Sequence, residues 1–273
     1  LWLEKIARFG YLTKGFVYFL LSLLVVDIVV DNNSKTAKVS TTGALEALSI
    51  QPFGRLVLSV VAVGLISYAL WRFLQAAIAP GHSQKKLLEK IFVRLGYTLS
   101  GLSYTGLALS AIEIILRIKN EESSSPSDWT ARLLSLPFGQ WLVGALGLAV
   151  IGVGISYLRH AVTPPADLHL DLPEIKKKLG IWIIWIGRVG ITARASVFGL
   201  VGVFLIEAAL QFDAEQARGL DGALQTLAQQ PLGKLMLVVV ALGLCAYSIY
   251  MFVEARFRYM KPLEALAEDL KHI

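Results

Sequence analysis

The chain has 273 residues, of which 55% are apolar and only 17% charged, with a mean hydropathy of +0.62. Soluble domains carry about a quarter charged residues, and here the charges gather in clusters between long uncharged stretches, which excludes a soluble globular fold and leaves the membrane class. The net charge of +6 and the pI of about 9.4 come from basic residues beside apolar spans, the pattern of cytoplasmic loops rather than of a nucleic-acid surface.

Six stretches are long and apolar enough to cross a hydrocarbon core as helices: residues 10–30, 54–78, 95–116, 139–162, 183–210 and 232–253. No ten-residue alternation of the barrel type is present. Basic residues precede the first span, but they also precede the third and fifth, so the first is read as a span and not as a signal peptide. Lys5, Arg8 and Lys14 lie at the N-terminus. Arg72, Lys85, Lys86, Lys90 and Arg94 surround the loop after span two, and Arg159, Lys176, Lys177, Lys178 and Arg188 the loop after span four. Arg256, Arg258, Lys261 and Lys271 close the chain. This places both termini and those two loops in the cytoplasm. Trp71, Trp141, Trp182 and Trp185 fall at the predicted interfaces.

The chain repeats itself. "LEKIARFGYLTKG", "LEKIFVRLGYTLSG" and "IWIGRVGITARA" align on Arg8, Arg94 and Arg188, and the even spans open with "QPFGR", "LPFGQ" and "QPLGK". Pro52, Pro137 and Pro231 are expected in the first helical turn, where a missing N–H costs nothing. The units are residues 1–80, 81–165 and 166–260, each with two spans, followed by an amphipathic tail, 261–273, that lies on the cytoplasmic membrane surface or docks on a partner. Each unit has an even number of spans, so all three enter the membrane in one direction. They are expected to form a pseudo-threefold bundle about the membrane normal, with a linear row as the alternative.

These landmarks, an R-x-G opening and a P-[FL]-G second start repeated three times, resemble the bacterial membrane family named domain of unknown function 1206, over nearly the whole chain. The resemblance implies six spans in three repeats, in the bacterial cytoplasmic membrane or another internal bacterial membrane, and implies no activity.

Along each odd span, positions three, seven, ten and fourteen after the arginine share its face. They read Tyr11, Gly15, Tyr18, Ser22; Tyr97, Gly101, Tyr104, Ala108; and Ile191, Ala195, Phe198, Gly202. The stripe is either a packing face, through small residues that let helices approach, or the lining of a cavity. The nineteenth position is acidic in every copy, Asp27, Glu113 and Glu207, about 28 Å along the helix from the arginine and so near the outer boundary. Arg55, Gln140 and Lys234 open the following even spans. Asp27–Arg55 and Glu207–Lys234 are expected ion pairs, with Glu113 the exception. A ring of acids holding cations at an outer mouth is the alternative. Short segments before the even spans, "GALEALSI", "WTARLLSL" and "GALQTLAQ", suit amphipathic surface helices capped by Thr42, Asp128 and Asp221.

Cys245 is the single cysteine, and His82, His160, His169 and His272 show no ligand spacing, so neither disulfide nor metal is expected. "GLSYTG" is one residue too long for a nucleophile elbow, "GVGISY" lacks a third glycine, and no phosphate loop or H-E-x-x-H is present. No enzyme activity and no cofactor are expected. The reading is a binding or scaffold protein that meets the lipid bilayer and takes a bound lipid, a hydrophobic ligand or another membrane protein. The alternative is a small transporter or channel along the pseudo-threefold axis, which the lack of proline within any span disfavours.

Overall fold

The computed structural model describes residues 2–30, 40–78, 87–117, 126–162, 175, 180, 182–217 and 219–257. The described segments are helical, and six helices are long and apolar enough to cross a membrane. The spans are α1 (Trp2–Val30), α3 (Gly54–Ile78), α4 (Leu87–Leu116), α6 (Gly139–Val162), α7 (Trp182–Gln211) and α9 (Gly233–Phe257). Three short helices, α2 (Thr41–Ile50), α5 (Pro126–Leu134) and α8 (Leu220–Ala228), precede the even spans where the leucine spacing puts them. The tail 261–273, His82, His169 and His272 lie outside the described residues.

The spans follow one another round a ring. Within repeats, α1 packs on α3 and α7 on α9; between repeats, α3 packs on α4, α6 on α7, and α9 back on α1. A row would leave α1 and α9 apart, whereas Ser248 Oγ on α9 donates to the Gly15 carbonyl on α1 at 2.7 Å. The threefold relation is visible in the aromatic contacts. Tyr68 of repeat one meets Tyr104 of repeat two with ring centroids 4.5 Å apart. Tyr157 of repeat two meets Phe198 of repeat three at 5.7 Å, and Tyr247 of repeat three meets Tyr18 of repeat one at 4.8 Å. An aromatic residue of each even span thus meets the equivalent aromatic of an odd span three times, each copy reaching to the next, with Tyr157 one helical turn further from its proline than Tyr68 and Tyr247.

The second sequence landmark has a local cause. Gln51, Leu136 and Gln230 each accept, at 2.8–2.9 Å, from the amide of the glycine three residues on: Gly54, Gly139 and Gly233. Proline fixes the second position of these turns, and Phe53 and Phe138 hold the left-handed third position, with φ of 60° and 64°. A Cβ on any of the three glycines would collide with a carbonyl oxygen of the preceding short helix, Leu48, Leu133 or Ala228. The helices start at the glycine, at or within one residue of the expected span starts, and Pro52, Pro137 and Pro231 sit in the preceding turn rather than in the first helical turn.

The short helices differ from expectation in their caps and surroundings. Ser40, not Thr42, caps α2 by accepting from the Gly43 amide at 2.9 Å. Asp128 and Asp221 fall inside α5 and α8 rather than ahead of them. Instead of lying free on the surface, α2 and α8 bury Leu45 and Leu224 against the bundle, Leu224 clustering with Leu21 and Val25 of α1. Leu134 of α5 clusters likewise with Leu205 and Ala208 of α7. Each short helix thus ties its repeat to the next.

Among the described residues the ring departs from threefold packing between α4 and α6. Gly10 and Gly190 are equivalent positions on α1 and α7. A Cβ on Gly10 would lie 2.7 Å from the Tyr68 Cα, and one on Gly190 2.5 Å from the Tyr247 Cα. Gly96, their counterpart on α4, meets nothing within 4 Å. Leu99 and Ser103 are exposed where Thr13 and Val17 are buried, and across from them Ser156 is exposed where Ser67 is buried. Small residues draw the two helices of repeats one and three together. Between α4 and α6 the described residues leave a seam.

Candidate functional site

At the centre of the bundle, cations meet tyrosines. Lys14, six residues beyond Arg8, lies about 9 Å further along α1 and is only 1% exposed. Its Nζ donates to the Tyr68 hydroxyl at 2.9 Å. It stands 4.8 Å from the Tyr68 ring centroid and 5.5 Å from those of Tyr104 and Tyr247, one ring from each repeat. Arg72 on α3 also donates to the Tyr68 hydroxyl, through Nε at 2.8 Å and through Nη2, and to Gln75 Oε1 at 3.0 Å. Arg194, the counterpart of Lys14 on α7, is 6% exposed and donates through Nη1 to the Tyr247 hydroxyl. Its guanidinium lies 4.7–5.4 Å from the rings of Tyr247, Tyr18, Tyr157 and Phe198.

Tyr68 and Tyr247 link the three cations in a chain: Arg72, Tyr68, Lys14, Tyr247, Arg194. Each cation–ring contact is worth about 0.5–2 kcal/mol, against several kcal/mol to take one ion out of water. The tyrosine hydroxyls are neutral acceptors. Among the described residues no carboxylate pairs with Arg72 or Arg194, and Arg194 Nε is buried with no hydrogen-bond partner. The second repeat has Ser100 at the station that holds Lys14 and Arg194 elsewhere, so the copy beside the seam is also the one that lacks the cation.

The arginines of the sequence motif have another role. Arg8 pairs with Glu4 at 2.7 Å and donates to the carbonyls of Ala255 and Arg256, the last turn of α9. Arg94 donates to the Ala77 carbonyl at the end of α3, at 3.4 Å. Arg188 lies over the Trp185 ring at 5.0 Å. The first two satisfy orphan carbonyls at a helix C-terminus, where positive charge is favoured.

The acidic level is not brought together as expected. Asp27, Arg55, Gln140 and Lys234 are exposed, and Glu113 and Glu207 are half-buried. Among the described residues no ion pair joins Asp27 to Arg55 or Glu207 to Lys234. For the exposed charges, holding two long side chains in one geometry gains little. No group of acids or histidines suited to a metal occurs among the described residues.

The sequence reading missed Lys14, Arg72 and Arg194 as site residues, having counted Lys14 and Arg72 with the loop charges. The signal was present: an ionisable residue deep within an apolar span marks a functional site by default, and Lys14 and Arg194 occupy the same station of the repeat.

The geometry is that of a multi-pass, all-helical membrane protein with a buried cationic and aromatic centre. The chain belongs to the family described as Domain of Unknown Function (DUF1206), whose model matches residues 9–79, 95–163 and 189–258. It is 34% identical over 260 residues, 95% of this chain and 92% of the relative, to an uncharacterized protein, YxxB, of Bacillus subtilis strain 168. No solved structure matches it.

Proposed function

We propose that the protein binds a membrane lipid, admitted laterally between α4 and α6. The observation that carries this reading is the seam. Among the described residues Gly10 and Gly190 lie against a neighbouring helix and Gly96 does not, which leaves α4 and α6 apart in one repeat of three. Beside it stands Tyr157, half-buried where its counterparts Tyr68 and Tyr247 are fully covered. A path along the axis is the weaker reading, because Lys14 Nζ and the rings of Tyr68, Tyr104 and Tyr247 pack together there, and buried positive charge opposes a cation. The role is binding rather than catalysis.

Native mass spectrometry of the full chain released from membranes tests the reading. Retained lipid is expected on the wild type and is expected to be lost from Ser156→Trp, which fills the seam. Equal retention by both proteins overturns it. The basic loops orient the N-terminal end toward the cytoplasm. Cysteine at Lys5 should therefore label only from inside and cysteine at Gln51 only from outside; the reverse pattern overturns that orientation.

A further inference from the structure

We infer that the lipid is anionic, and that its head group is received by Arg194, with Lys14 and Arg72 completing a cationic cradle. This rests on the lateral binding site proposed above and names the chemistry of its occupant.

Three observations converge. First, Arg194 is more than nine-tenths buried, keeps an unpartnered Nε, and is paired with no carboxylate among the described residues. A guanidinium presents its donors as a planar fork that matches carboxylate and phosphate oxygens two at a time. Its one hydrogen-bond partner, the Tyr247 hydroxyl, engages Nη1 and leaves the edge that contains Nε. Second, the cation is not isolated. The Tyr247 ring that borders Arg194 also borders Lys14, and the Tyr68 hydroxyl receives both Lys14 and Arg72. Among the described residues the acceptors of Arg72 and Arg194 are neutral, the Tyr68 and Tyr247 hydroxyls and the Gln75 amide, so no carboxylate cancels either charge and an anion gains from both. Third, the approach is built into the same copy. Repeat two has Ser100 in place of a cation, Gly96 facing open space, and Tyr157 joining the seam to Arg194, its ring 4.9 Å from the guanidinium. A head group entering between α4 and α6 meets a small residue where the other repeats present Lys14 and Arg194, and reaches Arg194 past Tyr157 while its acyl chains stay in the bilayer.

The shared chemistry is an oxyanion, a phosphate or a carboxylate, and the sources to be separated are an acidic lipid and a free ion. The full chain in detergent is titrated with phosphatidylglycerol, with phosphatidylcholine and with inorganic phosphate, and bound species are counted by native mass spectrometry. The expected result is retention of phosphatidylglycerol in preference to phosphatidylcholine. Arg194→Gln is expected to weaken phosphatidylglycerol about ten- to a hundredfold, the scale of a lost hydrogen bond to a charged group, and to leave phosphatidylcholine unchanged. Arg194→Lys is expected to restore part of the preference. Ser156→Trp, which leaves every cation in place, is expected to lose both lipids. Should Arg194→Gln fail to fold, the wild-type preference and the Ser156→Trp comparison still decide. Equal binding of the two lipids by the wild type overturns the anionic assignment while the lateral site stands. Inorganic phosphate displacing phosphatidylglycerol in simple competition makes the occupant a free anion and overturns the lipid assignment. Undiminished binding by Ser156→Trp overturns the lateral site itself.

Discussion

The three equivalent glycines Gly10, Gly96 and Gly190 provide a test in which the same change has opposite signs. Alanine at Gly10 places a methyl 2.7 Å from the Tyr68 Cα and amide nitrogen, and at Gly190 2.5 Å from the Tyr247 Cα. Carbon atoms rest about 3.5–4.0 Å apart, so the helices must part by about 1 Å, and the obstacle is backbone that has no rotamer to change. Overpacking of this kind costs about 1–3 kcal/mol, offset in part by the better helix propensity of alanine, about 1 kcal/mol. At Gly96 there is no collision, and only the propensity gain remains. The net cost is up to about 2 kcal/mol, so Gly10→Ala and Gly190→Ala should each lower the unfolding midpoint in detergent, by up to about 8 °C, while Gly96→Ala leaves it unchanged or raises it slightly. Intrinsic tryptophan fluorescence during a thermal ramp is a suitable readout. Gly96→Ala destabilising as much as Gly10→Ala would refute the reasoning, because it would mean that α4 and α6 are packed shut like the other two pairs.

Three further outcomes follow from the geometry. Alanine at Gly54, Gly139 or Gly233 meets a carbonyl oxygen in each repeat, so thermal melts should show all three variants destabilised alike; one tolerated substitution would break the equivalence of the turns. Asp27→Asn, Glu113→Gln and Glu207→Gln should each change stability by no more than about 0.5 kcal/mol in the same melts, as surface substitutions do; a large loss at any one would reveal a pairing that the described residues do not form. Arg8→Ala removes donors to the Ala255 and Arg256 carbonyls and should cost about 1–2 kcal/mol, with hydrogen exchange rising in the last turn of α9; protection unchanged there would assign the motif arginine a different role.

The spans, the repeats and the short connecting helices were legible because they rest on period and composition, which a single sequence carries. The stripe containing Tyr18, Tyr104 and Phe198 was legible as a face, but its partners were not. Tyr68 and Tyr247 lie sixteen residues beyond their motif prolines and Tyr157 twenty, so the even helices do not align at that depth when counted from the proline. Lys14 and Arg194 lie about 120° from the motif arginine, outside the face that the stripe defines, although four residues before Tyr18 and Phe198 and thus over the same surface. At the glycine the seam had no local signature: Gly96 reads like Gly10 and Gly190, and only the absence of a neighbour among the described residues distinguishes it. The expected ion pairs failed for a related reason: matched charges at matched stations do not fix distance at an exposed boundary.

The contact of α9 with α1 has a consequence for biogenesis. Arg8 and the Ala255 carbonyl that it engages are 247 residues apart. At about 5–20 residues per second of synthesis, α1 waits about 12–50 s before the helix that packs on it emerges. Until then Lys14 lacks Tyr247 beside it, and the face of α1 that meets α9 is without that partner. A circular permutant that begins at repeat two and joins the old termini would make the α9–α1 pair between neighbours in translation order. It would leave the α3–α4 interface for last, the one that brings Tyr68 to Tyr104.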